Sequence, residues 1–179
     1  MREEQPIRQE SSQRSRIGKI KAGDDSNLAD IISELNEGDL VEYISKGRFS
    51  LHNIIEHLLK LTGPAEVTLV TWAMTEKPLR TLHRLKSEGM ITELYCLLEH
   101  KVPGHNPKSF HFAKTFFNGI WLARCHAKSV VIENEKYGIV VSTSANLTRN
   151  LRIENGNIKV SQESVKFAKK WILEHMVDS

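Results

Sequence analysis

A chain of 179 residues, 40% apolar and 26% charged, has the make-up of a globular domain, and its length suffices to bury roughly 70% of the unfolded surface. A net charge of +3 names no partner, and two cysteines, Cys96 and Cys125, without a CxxC pair argue against both a disulfide framework and a zinc finger. No apolar run reaches the roughly 20 residues of a membrane helix, and "MREEQPIRQESSQRSR" lacks the apolar core of a secretory signal. A cytoplasmic protein with no stable membrane association is expected. Residues 1–18 read as a mobile polar tail, and 19–179 as a single domain. "NLADIISELNEG" has helical spacing, with Ser26 or Asn27 as cap and Gly38 as stop, and "DLVEYIS" alternates as a strand. "SLHNIIEHLLKLTG" is an amphipathic helix between Ser50 and Gly63. Strand "EVTLVTWA", helix "TEKPLRTLHRLKSEG" and strand "ITELYCLLE" follow, then a helix over "NPKSFHFAKTFFNG" with Gly119 as its stop. A hairpin, the strand "NIKVS" and a helix over "SQESVKFAKKWILEHM" complete the chain. This alternation predicts a sheet with helices on its faces, and the hairpin makes the sheet mixed.

The hairpin, "RCHAKSVVIENEKYGIVVSTSANLTRN", carries polar groups where valines would pack better. Strand residues two apart share a face, so Arg124, His126 and Lys128 point the same way. A three-residue turn, Asn134-Glu135-Lys136, sets Glu133 opposite Tyr137. His126 then faces Ser144, Lys128 faces Ser142 and Arg124 faces Asn146, each pair roughly 5 Å apart. A slip of one residue would move Ser144 and Asn146 to the other face. An imidazole, an ammonium, a hydroxyl and an amide on one patch suit a phosphodiester. Cations and amides hold non-bridging oxygens, and a histidine attacks phosphorus or moves a proton.

His126-x-Lys128 is followed after four residues by Glu133, then by Thr143-Ser144-Ala145-Asn146, with Glu154 beyond. This order resembles the HxK…D…GSxN signature of the phospholipase D-like phosphodiesterase superfamily, over about residues 39–176. The resemblance implies an α/β domain whose mixed β-sheet is flanked by helices on both faces. It implies metal-independent chemistry without a cofactor, through a phosphohistidine on His126. Lys128, Ser144 and Asn146 would bind the substrate phosphate, and Glu154 would orient an imidazole. Glu133 stands where the family has Asp, and strand parity gives it a structural role in fixing the turn. Thr143 replaces the family's Gly and tightens the pocket wall. An active site of this family uses two such motifs; this chain has one, since no other histidine has a lysine two residues on. The resemblance to single-motif members implies a homodimer, with two His126 residues meeting across a two-fold axis.

Between Glu99 and Glu133 there is no carboxylate, while Lys101, Lys108, Lys114, Arg124 and Lys128 fall in that stretch. Concentrated positive charge beside the motif favours a polyanion, and nucleic acid, DNA or RNA, is the expected substrate. Phe112, Phe116 and Phe117 are at helical spacing and are expected in the core. The rival readings are a non-catalytic nucleic-acid-binding module with a drifted motif and a phospholipid-directed phosphodiesterase or transferase.

Overall fold

The structure is a computed structural model describing residues 20–23, 28–149 and 152–177. The tail expected over 1–18 lies outside the described residues, as does the cap expected at Ser26 or Asn27. In chain order the elements are β1 (Ile20–Gly23), α1 (Leu28–Ile31), β2 (Leu40–Ile44), α2 (Leu51–Thr62), β3 (Ala65–Thr71), α3 (Glu76–Ser87) and β4 (Ile91–Glu99). They continue with α4 (Val102–His105), α5 (Pro107–Lys114), β5 (Gly119–Ala123), β6 (Ser129–Glu133), β7 (Gly138–Thr143), β8 (Asn155–Val160) and α6 (Gln162–Leu173). The strands form one sheet in the order β1-β2-β8-β7-β6-β3-β4-β5. β3, β4 and β5 run parallel, and β6, β7 and β8 are antiparallel to their neighbours. The expected mixed α/β sheet is therefore present.

Alternation along the strands divides the core into two layers. Val67, Leu69, Leu94, Leu98, Val130, Ile132, Ile139 and Val141 pack with α2 and α3 through Ile54, Leu58, Leu79 and Leu82. Val70, Leu97 and Val131 face the other way, against Val165, Ala168 and Ile172 of α6. Helices thus cover both faces. Phe112, Phe116 and Phe117 pack against the larger layer, as expected of core residues. Among the described residues no helix is long and apolar enough to cross a membrane.

Three expectations need correction. The helix expected over 27–38 is a single turn, Leu28–Ile31. Its next carbonyl, that of Ile32, accepts from the His57 ring at 2.7 Å, and the Asn36 amide donates to Asp39 Oδ2 at 3.0 Å. Both halves of the bond that would continue the helix are engaged elsewhere. The helix expected over 106–119 stops at Lys114, and Gly119 opens β5, a strand the sequence pattern did not reveal. Asn118 starts that strand by exchanging bonds with Leu94: its amide donates to the Leu94 carbonyl (2.8 Å) and its Oδ1 accepts the Leu94 amide (2.9 Å). Residue 119 is glycine because the Trp121 ring covers it, 2.3 Å from where a Cβ would stand.

The third correction concerns the hairpin. Glu133 pairs with Gly138 and Ser129 with Ser142, so the turn has one residue more than expected and the register is shifted by one. Asn134 causes this. Its Oδ1 accepts the amides of Lys136 (3.0 Å) and Tyr137 (2.8 Å), and its Nδ2 donates to the carbonyls of Thr62 and Pro64, both at 3.1 Å. A side chain that mimics a turn and is tied to the α2–β3 loop fixes the longer connection.

Candidate active site

Every candidate residue except Glu133 lies at one edge of the sheet, where β2, β3, β4, β5 and β7 end and β6 and β8 begin. The carboxyl ends of parallel strands are where open α/β sheets bind ligands, because helix and loop starts converge there. β6 begins only at Ser129, so His126, Ala127 and Lys128 precede it as irregular chain. β7 ends at Thr143, before Ser144 and Asn146. The shifted register would have sent Ser144 and Asn146 away from His126 had the strands continued. The residues share one edge because both segments leave the ladder first.

His126 is exposed, and Lys128 folds back onto it. Lys128 Nζ lies 3.2 Å from Nδ1 and 3.3 Å from Nε2 of the ring, and donates to the His126 carbonyl at 2.6 Å. Burial lowers the pKa of Lys128 below the ordinary lysine value, against the opposing pull of Cys125 and Glu154. The Lys128 carbonyl accepts the Thr143 amide at 3.2 Å, which ties this segment to the end of β7.

The Ser144 hydroxyl donates to Glu154 Oε2 and accepts the Asn155 amide at 3.1 Å. The structure therefore places Glu154 on Ser144 and within electrostatic reach of Lys128. Thr143 is a junction: its hydroxyl accepts from Tyr43 (2.8 Å) and from the Ala145 amide (3.1 Å), and donates to the Asn155 carbonyl (3.2 Å). Burial pushes the Tyr43 phenol up to about 12, so it stays a donor. Gly156 lets that ring in, since a Cβ there would stand 2.6 Å from the Tyr43 hydroxyl oxygen. Asn146 sits between the buried Ala145 and Leu147, and its Oδ1 is buried without a hydrogen-bond partner among the described residues. Leaving a buried acceptor unpaired costs on the order of 1–3 kcal/mol, so the described fold gains nothing from this atom.

Glu133 is at the opposite end of β6, beside the turn. Its structural role differs from the one expected, for Asn134 fixes the turn. Glu133 stands directly across from Glu66, and Lys169 of α6 bridges the two carboxylates at 2.6 and 3.0 Å. Two residues beside the site escaped the sequence reading. Glu99, at the end of β4, accepts the Cys125 amide at 2.9 Å and so holds the residue next to His126. That bond is the first cause of its lowered pKa. Trp72, after β3, sets its ring 5.6 Å from the His126 ring, tilted by 58°. A lone acid ending a strand and a lone tryptophan carry no spacing signal. Among the described residues no three His, Cys, Asp or Glu side chains are grouped to hold a metal ion.

No family model matches the sequence, and no match to it was found among curated proteins. Solved structures are similar to it. NucT from Helicobacter pylori superposes with a TM-score of 0.58 at 16% identity, covering 77% of this chain and 96% of that one. Nuc from Salmonella typhimurium, described as a phospholipase D family member, gives 0.59 at 11% identity, over 76% and 93% of the two chains. Polyphosphate kinase from Porphyromonas gingivalis gives 0.58 at 12% identity, covering 87% of this chain but 27% of the kinase. The likeness to NucT and to the phospholipase D family member Nuc, each over about three quarters of this chain, shows the architecture: this chain has the phospholipase D-like fold.

Proposed function

We propose that this protein is a phosphodiesterase that cleaves nucleic acid through a phosphohistidine on His126, in a site shared by two copies of the chain. The observation that carries the reading is the Lys128 ammonium within 3.3 Å of both His126 ring nitrogens, at the sheet edge that also holds Ser144 and Asn146. The names of two similar structures, a phospholipase D family member and a polyphosphate kinase, share chemistry at phosphorus. In the first step a His126 nitrogen forms a bond to phosphorus as the bond to the leaving oxygen breaks, and the second copy's His126 gives that oxygen its proton. In the second step water attacks phosphorus, the P–N bond breaks, and the water's proton returns to the second imidazole. Lys128 and the Asn146 amide N–H stabilise the charge that gathers on the non-bridging oxygens. Ser144, held by Glu154 and the Asn155 amide, lines the same edge.

The test is oligonucleotide hydrolysis in chelator, with intact-mass detection of the enzyme carrying one half of the oligonucleotide through phosphorus on His126. His126→Ala is expected to lose the adduct and at least about 10³-fold in kcat, with an unchanged melting curve because the side chain is exposed. Full activity in that variant sinks the proposal. Salt-dependent oligonucleotide binding without turnover identifies a non-catalytic module instead. Turnover of lipid micelles and not of oligonucleotides identifies a phospholipid-directed enzyme.

A further inference from the structure

A cleft of about 220 Å3 opens between the loop after β3 and the start of α4, and Trp72 in its lining touches the His126 ring. Ala73, Met74 and Val102 give it an apolar lining, Trp72 stands at one side, and Glu99 and Lys101 bring a carboxylate and a cation to it. The volume falls below the roughly 300–1,000 Å3 of sites that enclose drug-sized molecules. It suits one ring system, not a whole nucleotide or a long acyl chain.

The cleft is preformed. Asn106 Nδ2 donates to the Met74 carbonyl at 2.9 Å, and Met74 bridges Leu147 in a parallel pair. The Thr75 amide donates to the Leu147 carbonyl at 3.0 Å, and Thr71 Oγ1 both accepts the Leu147 amide (3.1 Å) and donates to the Ala73 carbonyl (2.9 Å). These bonds lock the loop carrying Trp72 to the segment carrying Asn146. Two polar atoms in this frame are left over. Thr75 is the N-cap of α3, where a threonine hydroxyl ordinarily serves a helix amide; here it makes no such bond. Its Oγ1, like Asn146 Oδ1, is buried without a partner among the described residues. Trp72 itself is 45% exposed, an aromatic face held ready beside the proposed nucleophile.

We infer that this cleft takes the unpaired base of the nucleotide next to the scissile phosphate, with Trp72 as the stacking face and Lys101 holding the next phosphate. The inference rests on the phosphodiesterase reading for its substrate and adds a strandedness: a base paired in a duplex cannot enter. Stacking is sequence-tolerant, because every base has a flat face, so the preference concerns unpaired against paired and not one base against another.

The experiment compares a labelled oligothymidylate with an abasic strand of equal length and charge, by anisotropy binding and by hydrolysis in chelator. Wild type is expected to bind the base-bearing strand about tenfold more tightly or better. Trp72→Ala is expected to bring the ratio of base-bearing to abasic affinity to about one, and Trp72→Phe to keep most of it. Equal wild-type affinity for the two strands overturns the inference. So does a Trp72→Ala variant that weakens both strands alike, or one that shifts a dimer to monomer, which makes Trp72 a subunit contact. Hydrolysis of both strands without base preference keeps the phosphodiesterase and removes the cleft. Base preference in binding without hydrolysis of either strand keeps the cleft and removes the phosphodiesterase.

Discussion

Glu99 shows how one residue governs another it does not touch through its side chain. Its carboxylate accepts the Cys125 amide and pairs with His100 at 2.7 Å, at 8% exposure. The segment from Arg124 to Lys128 has no ladder of its own, so this bond is its anchor on the β4 side. Glu99→Ala is expected to lower kcat about 10- to 100-fold, since small misplacements of a nucleophile carry losses of that size. Glu99→Gln, which keeps an acceptor for the amide, is expected to recover most of it. The loss is expected to be equal on base-bearing and abasic strands, because it acts on His126 and not on the base. Glu99 also lines the cleft, so steady-state kinetics on both strands checks this: a loss confined to the base-bearing strand would mean that it acts on the base and not through Cys125.

Among the elements, β6 is the one on which chemistry and stability divide. Its start adjoins the site, and its end carries Glu133. Across β3 and β6 two glutamates stand opposite each other, an arrangement that destabilises a sheet unless a cation intervenes. Lys169 intervenes and thereby pins α6. Burial opposes its charge, but the bonds to Glu133 and Glu66 outweigh this and raise its pKa above the ordinary lysine value. Lys169→Met is expected to lower stability by about 1 kcal/mol, a figure kept small because the groups are partly solvated, or a melting temperature by roughly 2–4 °C. Hydrolysis at 25 °C should be unaffected, the bridge being at the far end of the strand. Adding Glu66→Gln should restore part of the stability, which thermal melts of the single and double variants would reveal.

At the scale of the whole molecule, one sheet presents one site-bearing edge, and one motif supplies one imidazole. The proposed mechanism needs two. Ile44 and Ile153, exposed at 41% and 76%, lie at the end of β2 and just before β8, on the same edge, where a second copy would bury them. A two-fold contact there makes the same patch meet itself. Sedimentation is expected to give twice the chain mass of 20.4 kDa. Wild type mixed with equal His126→Ala and allowed to exchange is expected to keep about a quarter of the hydrolysis, since only dimers with two intact histidines work. Independent sites would keep about half, and that result would end the shared-site reading.

The sequence by itself determined the features that depend on near neighbours. Period and caps placed α2 between Ser50 and Gly63, Phe112, Phe116 and Phe117 against the core, and the α/β alternation that gives the mixed sheet. The order His126, Lys128, Ser144, Asn146 was legible because the motif is local to two adjacent strands. What only the tertiary structure decided depends on partners far along the chain. His57 takes the Ile32 carbonyl from 25 residues away and ends α1; Asn134 reaches Thr62 across 72 residues and lengthens the turn; Tyr43 meets Thr143 across 100. The site forms through backbone that leaves the ladder and not through strand parity, and Glu99 and Trp72 reach it from strand ends whose own sequence gives no sign of it. Periodicity reports which face of an element is buried. It does not report which distant group takes a carbonyl or an amide, and here those bonds set the turn, the register and the position of His126.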